Sequence, residues 1–210
     1  MKIPVRNLFY LLTYAWDALE TSHLIDRSKI EEHDALNLLA RLLEASTTHL
    51  LRKGLDRGYV EREQEIAGIR GKLHISKSLS KGILSQGRAI CSVDEFEHDV
   101  VHNQILKATL RELSRSRSIS KRHVERLPAL YRKMNGIQDI QLSPSVFRKV
   151  KFHRNNAYYR LALNICELIH ENRIVRSKGE GIQLNDFVRD PHQMRRLFER
   201  FVYHFAEKNT

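Results

Sequence analysis

"GYVEREQEIAGIRGKLHISKSL" occupies residues 58–79 and differs in character from the sequence on either side of it. Valine, isoleucine and tyrosine alternate with charged residues at short range, and two glycines interrupt the run. This alternation is typical of short strands with one exposed face. We predict strands near 58–66 and 70–76 joined by a tight connection, and a third strand in "GRAICSVDEF", which follows Gly87. Together they predict a small antiparallel sheet or barrel.

Apolar residues recur at helical spacing on both sides of this segment. The predicted helices begin near Pro4, Asp34, Asp99, Ser120, Ser143, residue 157 and Asp190. The last helix carries a broad apolar stripe from Met194 to Phe205, which needs a surface to pack on. It either packs on the 157–170 helix or is the first helix of a further domain. The predicted fold class is therefore α+β, mainly helical, with a small antiparallel β finger or barrel in the N-terminal half.

The N-terminal stretch "IPVRNLFYLLTYAWDAL" (3–19) is apolar but does not read as a targeting segment. It lacks the cleavage site of a secretory signal. Its uninterrupted apolar run is far shorter than the roughly 20 residues of a membrane span. We predict a buried amphipathic helix. Cys91 and Cys166 cannot build a disulfide framework, and this cysteine usage fits a reducing cytosol, so we expect a cytoplasmic protein.

The 210-residue chain is strongly basic, with 36 Lys and Arg against 25 Asp and Glu and a formal net charge of +11. Such a balance favours contact with polyanions such as nucleic acid. Two basic runs, 111–126 and 147–154, are candidates for contacts to phosphates. The alternative is a solvated helix face or loop. The candidate DNA-binding residues are Arg115, Arg117, Lys121, Arg122, Arg148, Lys149 and Lys151.

No pattern in the sequence predicts catalysis by this chain. A phosphate-binding glycine motif is missing, and "GIRGK" (68–72) has the wrong spacing. His98 and His102 have the i, i+4 spacing of a zinc pair, but surface histidines at a helix start are the more common explanation. Many nucleases hold Mg²⁺ with an Asp followed by [DE]-x-K. No Asp or Glu here has Lys two residues later, so no catalytic, cofactor-binding or metal-binding residue is predicted.

Several segments together resemble the McrC family of the McrBC modification-dependent restriction systems. The opening Ile3-Pro4-Val5-Arg6-Asn7 and Tyr14-Ala15-Trp16 are similar to the family's N-terminus. "EIAGIRGKLHISKSL" resembles its Pro-Gly-Ile-[Lys/Arg]-Gly strand pair, with Ala67 in place of the proline. Four later segments resemble it in the same order: "NQILKATL" (103–110), "YRKMNGI" (131–137), "YYRLALNICELI" (158–169) and "LFERFVYHF" (197–205).

The resemblance implies an architecture and a set of partners. McrC-like proteins insert a β-rich finger into a hexameric AAA+ GTPase, McrB, and stimulate its GTP hydrolysis. A C-terminal PD-(D/E)xK nuclease then cuts DNA that carries 5-methylcytosine, with Mg²⁺. By this likeness, 1–155 is the N-terminal region with a finger at about 58–95, and 156–210 is a helical segment that leads into the nuclease. A cation near a nucleotide stabilises phosphate charge, so the candidate partner contacts are Arg70, Lys72, Lys77 and Lys81. The alternative is that these are solvent-facing strand charges.

The sequence departs from the family pattern at its end, because the family's Asp and Asp-x-Lys would lie beyond residue 210. No catalytic residue can therefore be carried over. We expect a fragment, a truncated reading frame or a chain separated from its nuclease. The alternative function is a stand-alone basic DNA-binding protein without enzymatic activity.

Overall fold

The computed structural model describes residues 5–15, 35–116, 119–175, 182–184, 188 and 190–209. The chain forms two compact units. One unit contains residues 56–100, and the other contains residues 1–55 and 101–210. We call them the sheet unit and the helical unit. The predicted domain division between residues 155 and 156 stays a prediction.

The helical unit is built from amphipathic helices separated by short connections. Its described helices are α1 (Val5–Ala15), α2 (Ala35–Lys53), α4 (Val101–Ser114), α5 (Lys121–Lys133), α6 (Pro144–Phe147), α7 (Arg160–Asn172) and α8 (Pro191–Asn209). A 3-10 turn, Ala157–Tyr159, precedes α7. Within this unit α4 packs on α5 and α7, α2 packs on α5 and α7, and α1 packs on α8. The predicted helices are confirmed wherever they fall on described residues.

The core of the helical unit is aliphatic and continuous. Adjacent leucines of α2, Leu38 with Leu39 and Leu42 with Leu43, are fully buried, so this helix is covered on more than one face. Two polar side chains inside this core form hydrogen bonds that offset the cost of their burial. The hydroxyl of Tyr159 donates to Asn103 at 2.7 Å, and the Lys107 ammonium donates to the Ile137 carbonyl at 2.6 Å.

The helix ends agree in part with the predicted signals. Gly54, at φ +93°, follows α2, and Asp190 caps α8 by accepting from the backbone N–H of His192 at 2.9 Å. Ser120 holds the N-cap position of α5 without a side-chain cap bond. Its backbone N–H instead donates to Asn37 at 2.8 Å. Helix α5 continues through Pro128.

Helix α8 packs on a partner that the sequence pattern did not identify. Its main neighbour is α1, and the rings of Tyr14 and Phe201 meet edge to face at 5.5 Å. An ion pair also joins it to α7, where the Arg196 guanidinium lies 3.8 Å from Glu171.

The sheet unit contains three antiparallel strands, β1 (Gly58–Ala67), β2 (Lys72–Leu73) and β3 (Arg88–Glu97), in the order β1-β3-β2. A short helix, α3 (Ile75–Ser80), and a 3-10 turn, Leu84–Gln86, lie between β2 and β3. A small core of Ala89, Cys91 and Val93 packs against Ile66 and Leu73. The predicted strands at 58–66 and after Gly87 are confirmed. The predicted strand at 70–76 is wrong beyond Leu73, because the chain turns into α3.

A second, two-stranded sheet pairs β4 (Arg173–Val175) with β5 (Ile182–Leu184) and was not predicted. The predicted fold class, α+β and mainly helical with a small antiparallel sheet, is confirmed. Both cysteines are buried free thiols, as predicted. Across the helices that the structure describes, none is long and apolar enough to cross a membrane.

Candidate partner-binding surface

The two long strands of the sheet unit, β1 and β3, are connected at one end by a structured segment. Strands β1 and β3 pair over ten residues each, from Gly58↔Glu97 to Ala67↔Arg88. A backbone bond from Gly68 to the Gly87 carbonyl, 2.8 Å long, closes the ladder. We call residues 68–87 the tip. It contains β2, α3 and the 3-10 turn Leu84–Gln86. The hairpin therefore carries a compact structure where a simple turn would suffice.

Gly71 lets the tip chain fold back against β3. Its φ is +72°, and a Cβ atom placed there would lie 2.2 Å from the Ser92 carbonyl oxygen. That separation is far below van der Waals contact with a backbone atom, which cannot move aside cheaply. Only glycine fits this close approach. It brings Lys72 and Leu73 into register with Ser92 and Cys91.

The buried hydroxyl of Ser78 anchors α3 to the sheet. It accepts from the Ile90 backbone N–H at 2.9 Å and donates to the His74 carbonyl at 2.9 Å. The His74 backbone N–H donates to the Ile90 carbonyl at 2.9 Å. Beyond β2, the backbone groups of Ile90 in β3 are therefore bonded to the Ser78 hydroxyl and to the His74 N–H at the start of α3. These hydrogen bonds attach α3 to the edge of β3.

Four large aliphatic side chains of the tip face solvent. Ile69 is 68% exposed and Leu79 is 62% exposed. Ile75 lies one helical turn before Leu79 and is also exposed, as is Leu84. Single exposed apolar residues are ordinary, but several on one small structure are typical of an interaction site. The sequence pattern did not predict these exposed residues, although Ile69 lies in a short segment between Gly68 and Gly71.

The predicted partner contacts Arg70, Lys72, Lys77 and Lys81 all lie in the tip and are exposed. Lys77 is paired with Glu63, and this hydrogen bond lowers the pKa of the Glu63 carboxyl. Lys81 lies 3.9 Å from Glu65, which Arg88 holds more closely at 2.8 Å. Arg70 and Lys72 form no ion pair with any described residue. These two are therefore the cations most available to an anion. The role of all four residues stays a prediction.

The predicted DNA contacts lie on the helical unit, in two segments. Arg115 follows α4 and Lys121 and Arg122 open α5, while Arg148, Lys149 and Lys151 follow α6. All six are exposed, and none forms an ion pair within the described part of the chain. Arg117 lies outside the described residues. The assignment of these residues to DNA stays a prediction.

Two other cations of the same basic run form ion pairs within the helical unit. Arg111 pairs with Asp139 at 3.0 Å and donates to the Ile140 carbonyl at 2.9 Å. Arg126 pairs with Glu44 at 2.7 Å. These two arginines join helices and loops of the helical unit, so they are not free to contact phosphates.

His98, Asp99 and Cys166, whose side chains could take part in catalysis or metal binding, have structural roles. His98 accepts a hydrogen bond from the Arg57 guanidinium at 2.9 Å, and Asp99 accepts one from Arg62 at 2.6 Å. Burial raises the pKa of the Cys166 thiol to about 12, which disfavours a nucleophilic thiolate. Over the described ranges, no three His, Cys, Asp or Glu side chains cluster as ligands of a metal ion would.

Comparison with known proteins assigns the family. The model of the family "McrBC 5-methylcytosine restriction system component" matches residues 4–210. The chain belongs to this family. The predicted resemblance is thereby confirmed, and the match includes the whole sheet unit with its tip.

Individual McrBC proteins agree with this result. The chain is 29% identical over 206 residues to the Type IV methyl-directed restriction enzyme EcoKMcrBC of Escherichia coli strain K12. The aligned region covers 98% of this chain and 59% of that relative. The chain therefore spans about three fifths of the length of the curated relative.

Two solved structures share the fold. One is a chain of the cryo-EM structure of the Thermococcus gammatolerans McrBC complex, with a TM-score of 0.63, 23% identity and coverage of 98% of this chain and 58% of that one. The other belongs to a refined half-complex from a tetradecameric assembly of McrB AAA+ hexamers with bound McrC from the same organism. It has the same TM-score of 0.63 and identity of 23%, covering 98% of this chain and 47% of that one.

Proposed function

We propose that this chain is an McrC-like subunit of a restriction system directed at 5-methylcytosine, which docks on an McrB-like AAA+ GTPase hexamer and stimulates its GTP hydrolysis. The observation that carries the proposal is the family match over residues 4–210. The fold shared with chains of McrBC assemblies supports it.

The tip is the surface that we assign to docking. Its exposed Ile69, Ile75 and Leu79 supply apolar area that a protein partner buries. Arg70 and Lys72 supply cations that form no ion pair among the described residues. A cation that reaches the transferring phosphoryl group, or that orders the loops around it, stabilises the charge that develops during GTP hydrolysis. The hydrogen bonds of Ser78 attach α3, which carries Ile75 and Leu79, to β3.

GTP belongs to the ring partner in this proposal. We assign Mg²⁺ to a nuclease part of the system, as the family resemblance implies. We assign no catalytic step to this chain. DNA is a further proposed partner, through the exposed cations that follow α4 and α6. A cytoplasmic location is part of the same proposal.

A GTPase assay with the purified McrB-like ring tests the docking proposal. We expect the wild-type chain to raise the rate of GTP hydrolysis. The double variant Ile69→Ser, Leu79→Ser should raise the concentration needed for half-maximal stimulation by about tenfold or more, the effect of losing an interface anchor. Val124→Ser is the matched control, because Val124 is 50% exposed on α5 and outside the tip. No stimulation by the folded wild-type chain would contradict the proposal.

The two unpaired cations need a separate variant. Arg70→Ala, Lys72→Ala should lower the maximal GTPase rate more than it lowers affinity, if these side chains act on phosphate charge. Lys133→Ala, an exposed cation at the end of α5, should leave both quantities unchanged. Equal GTPase stimulation by the wild type and by the Arg70→Ala, Lys72→Ala variant would remove these residues from the mechanism.

The stand-alone DNA-binding alternative gives a different result in the same experiments. It predicts salt-sensitive binding to duplex DNA and no effect on the GTPase. Salt-sensitive binding alone does not separate the two functions, because both use the basic surface. The GTPase rate therefore decides between them.

A further inference from the structure

An exposed aromatic pair lies on one face of the sheet unit, at the end of the ladder opposite the tip. Tyr59 of β1 and Phe96 of β3 are directly paired in the register. Their ring centroids are 5.2 Å apart, and the side chains are 78% and 58% exposed. Two neighbouring rings leave a large apolar area in water, at a free-energy cost to the isolated chain.

The next pair on the same face consists of two carboxylates. Glu61 lies opposite Asp94 in the register, and side chains two residues apart share a face of a strand. Both are exposed, and among the described residues neither carboxylate forms an ion pair or a side-chain hydrogen bond. Like charges directly opposite each other destabilise a sheet. The fold therefore holds negative charge here without compensation.

The neighbouring acidic residues on this face show a different arrangement. Glu63 is neutralised by Lys77, and Glu65 by Arg88. The sheet unit therefore supplies cations to the two acids nearer the tip and none to the Glu61–Asp94 pair. In a chain of net charge +11, this uncompensated negative patch beside two aromatic rings is suited to a cation from outside the chain.

We propose that the face formed by Tyr59, Phe96, Glu61 and Asp94 binds an arginine-bearing segment of the McrB-like ring partner. A guanidinium forms bidentate hydrogen bonds with carboxylates and stacks on aromatic rings, and arginine combines the two better than lysine does. This inference rests on the proposed function and adds a second contact to it. The tip and this face lie at opposite ends of one ten-residue ladder.

The test uses the full chain and the McrB-like ring. Glu61→Gln, Asp94→Asn removes the charge and keeps the size of both side chains. We expect about tenfold weaker binding to the ring at low salt. The difference should shrink as salt is added, because salt screens exposed charges. Glu125→Gln, an exposed acid on α5, is the control and should bind as the wild type does.

Thermal unfolding of the same variant separates binding from folding. Removal of the like-charge pair should leave the melting temperature unchanged or raise it. Weaker binding together with an unchanged or higher melting temperature supports the proposal. Unchanged binding, within about twofold at low salt, would overturn it. The tip variants distinguish the two proposals: if Ile69→Ser, Leu79→Ser weakens docking and Glu61→Gln, Asp94→Asn does not, only this inference fails.

The aromatic rings provide an independent readout. Tyr59→Leu, Phe96→Leu keeps apolar area but removes the ring faces, and should weaken binding by about fivefold. Val124→Leu, at an exposed position outside the sheet unit, is the control and should bind as the wild type does. If the wild-type chain instead self-associates in sedimentation and Glu61→Gln, Asp94→Asn abolishes that association, the face belongs to a second copy and the proposal is overturned.

Discussion

Glu44 illustrates how single residues of this fold combine burial with charge. It is 7% exposed, and it accepts hydrogen bonds from the His123 ring at 2.9 Å and the Arg126 guanidinium at 2.7 Å. Burial by itself raises the pKa of a carboxyl, but these two donors outweigh it and leave the pKa of Glu44 below its usual value. The ionised carboxylate therefore joins α2 to α5.

Glu44→Gln should lower the free energy of unfolding by about 2 kcal/mol at neutral pH, the contribution of hydrogen bonds to a buried charge. A group with a lowered pKa stabilises the fold above its unfolded-state pKa, near 4.5, and loses this effect as pH falls through the folded-state value. Urea unfolding between pH 3 and pH 7 should show the two proteins converging at the acid end. An equal difference at both ends of that range would contradict this account.

Gly71 and Gly82 allow two effects of glycine to be separated. Both have positive φ, but a Cβ on Gly82 meets nothing within 4 Å, whereas one on Gly71 would clash with the Ser92 carbonyl. Gly82→Ala should cost about 1 kcal/mol of stability, for the left-handed backbone alone. Gly71→Ala should cost about 2 kcal/mol more, because backbone must shift. Hydrogen exchange at the β3 amides measures both, and equal protection in the two variants would refute the steric explanation.

At the scale of elements, periodicity predicted most helices and the two long strands. Periodicity did not predict the local structure where a single side-chain hydrogen bond determines it. Residues 75–80 form a helix because the Ser78 hydroxyl takes the place of a strand partner at Ile90, and no periodic pattern reports such a bond. Strands β4 and β5 have three residues each, which is too short for a period-2 signal.

The anchoring of α3 can be tested at Ser78. Ser78→Ala removes the acceptor of the Ile90 N–H and should lower protection of that amide by about tenfold, equivalent to about 1.4 kcal/mol for an unsatisfied buried donor. Ser80→Ala is the control, because its exposed hydroxyl contacts only the Lys77 carbonyl of the same helix. Native-state hydrogen exchange reports both variants. If Ile90 stays equally protected in Ser78→Ala, the hydroxyl does not anchor the helix.

For the molecule as a whole, the sequence identified the family and the basic character of the surface, but not which cations are available. Arg111, Arg115, Arg122 and Arg126 are indistinguishable in the basic run. In the structure the first and last form ion pairs within the helical unit, and the middle two face solvent. The Tyr59–Phe96 and Glu61–Asp94 pairs could not be predicted from the sequence, because strand register brings residues more than 30 positions apart into contact.

The exposed cations that follow α6 give a prediction about the whole surface. If Arg148 and Lys149 contact phosphates, each displaces about one counterion from duplex DNA, and the slope of log affinity against log salt falls by about 0.9 per contact removed. Arg148→Ala, Lys149→Ala should therefore reduce that slope by about 1.8 in a titration between 50 and 200 mM salt. Arg195→Ala, whose guanidinium pairs with Glu199 at 2.9 Å, should leave the slope unchanged. An unaltered slope in the double variant would show that these side chains face solvent and do not contact phosphates. Each phosphate contact that is lost leaves one more counterion on the DNA and must lower the slope.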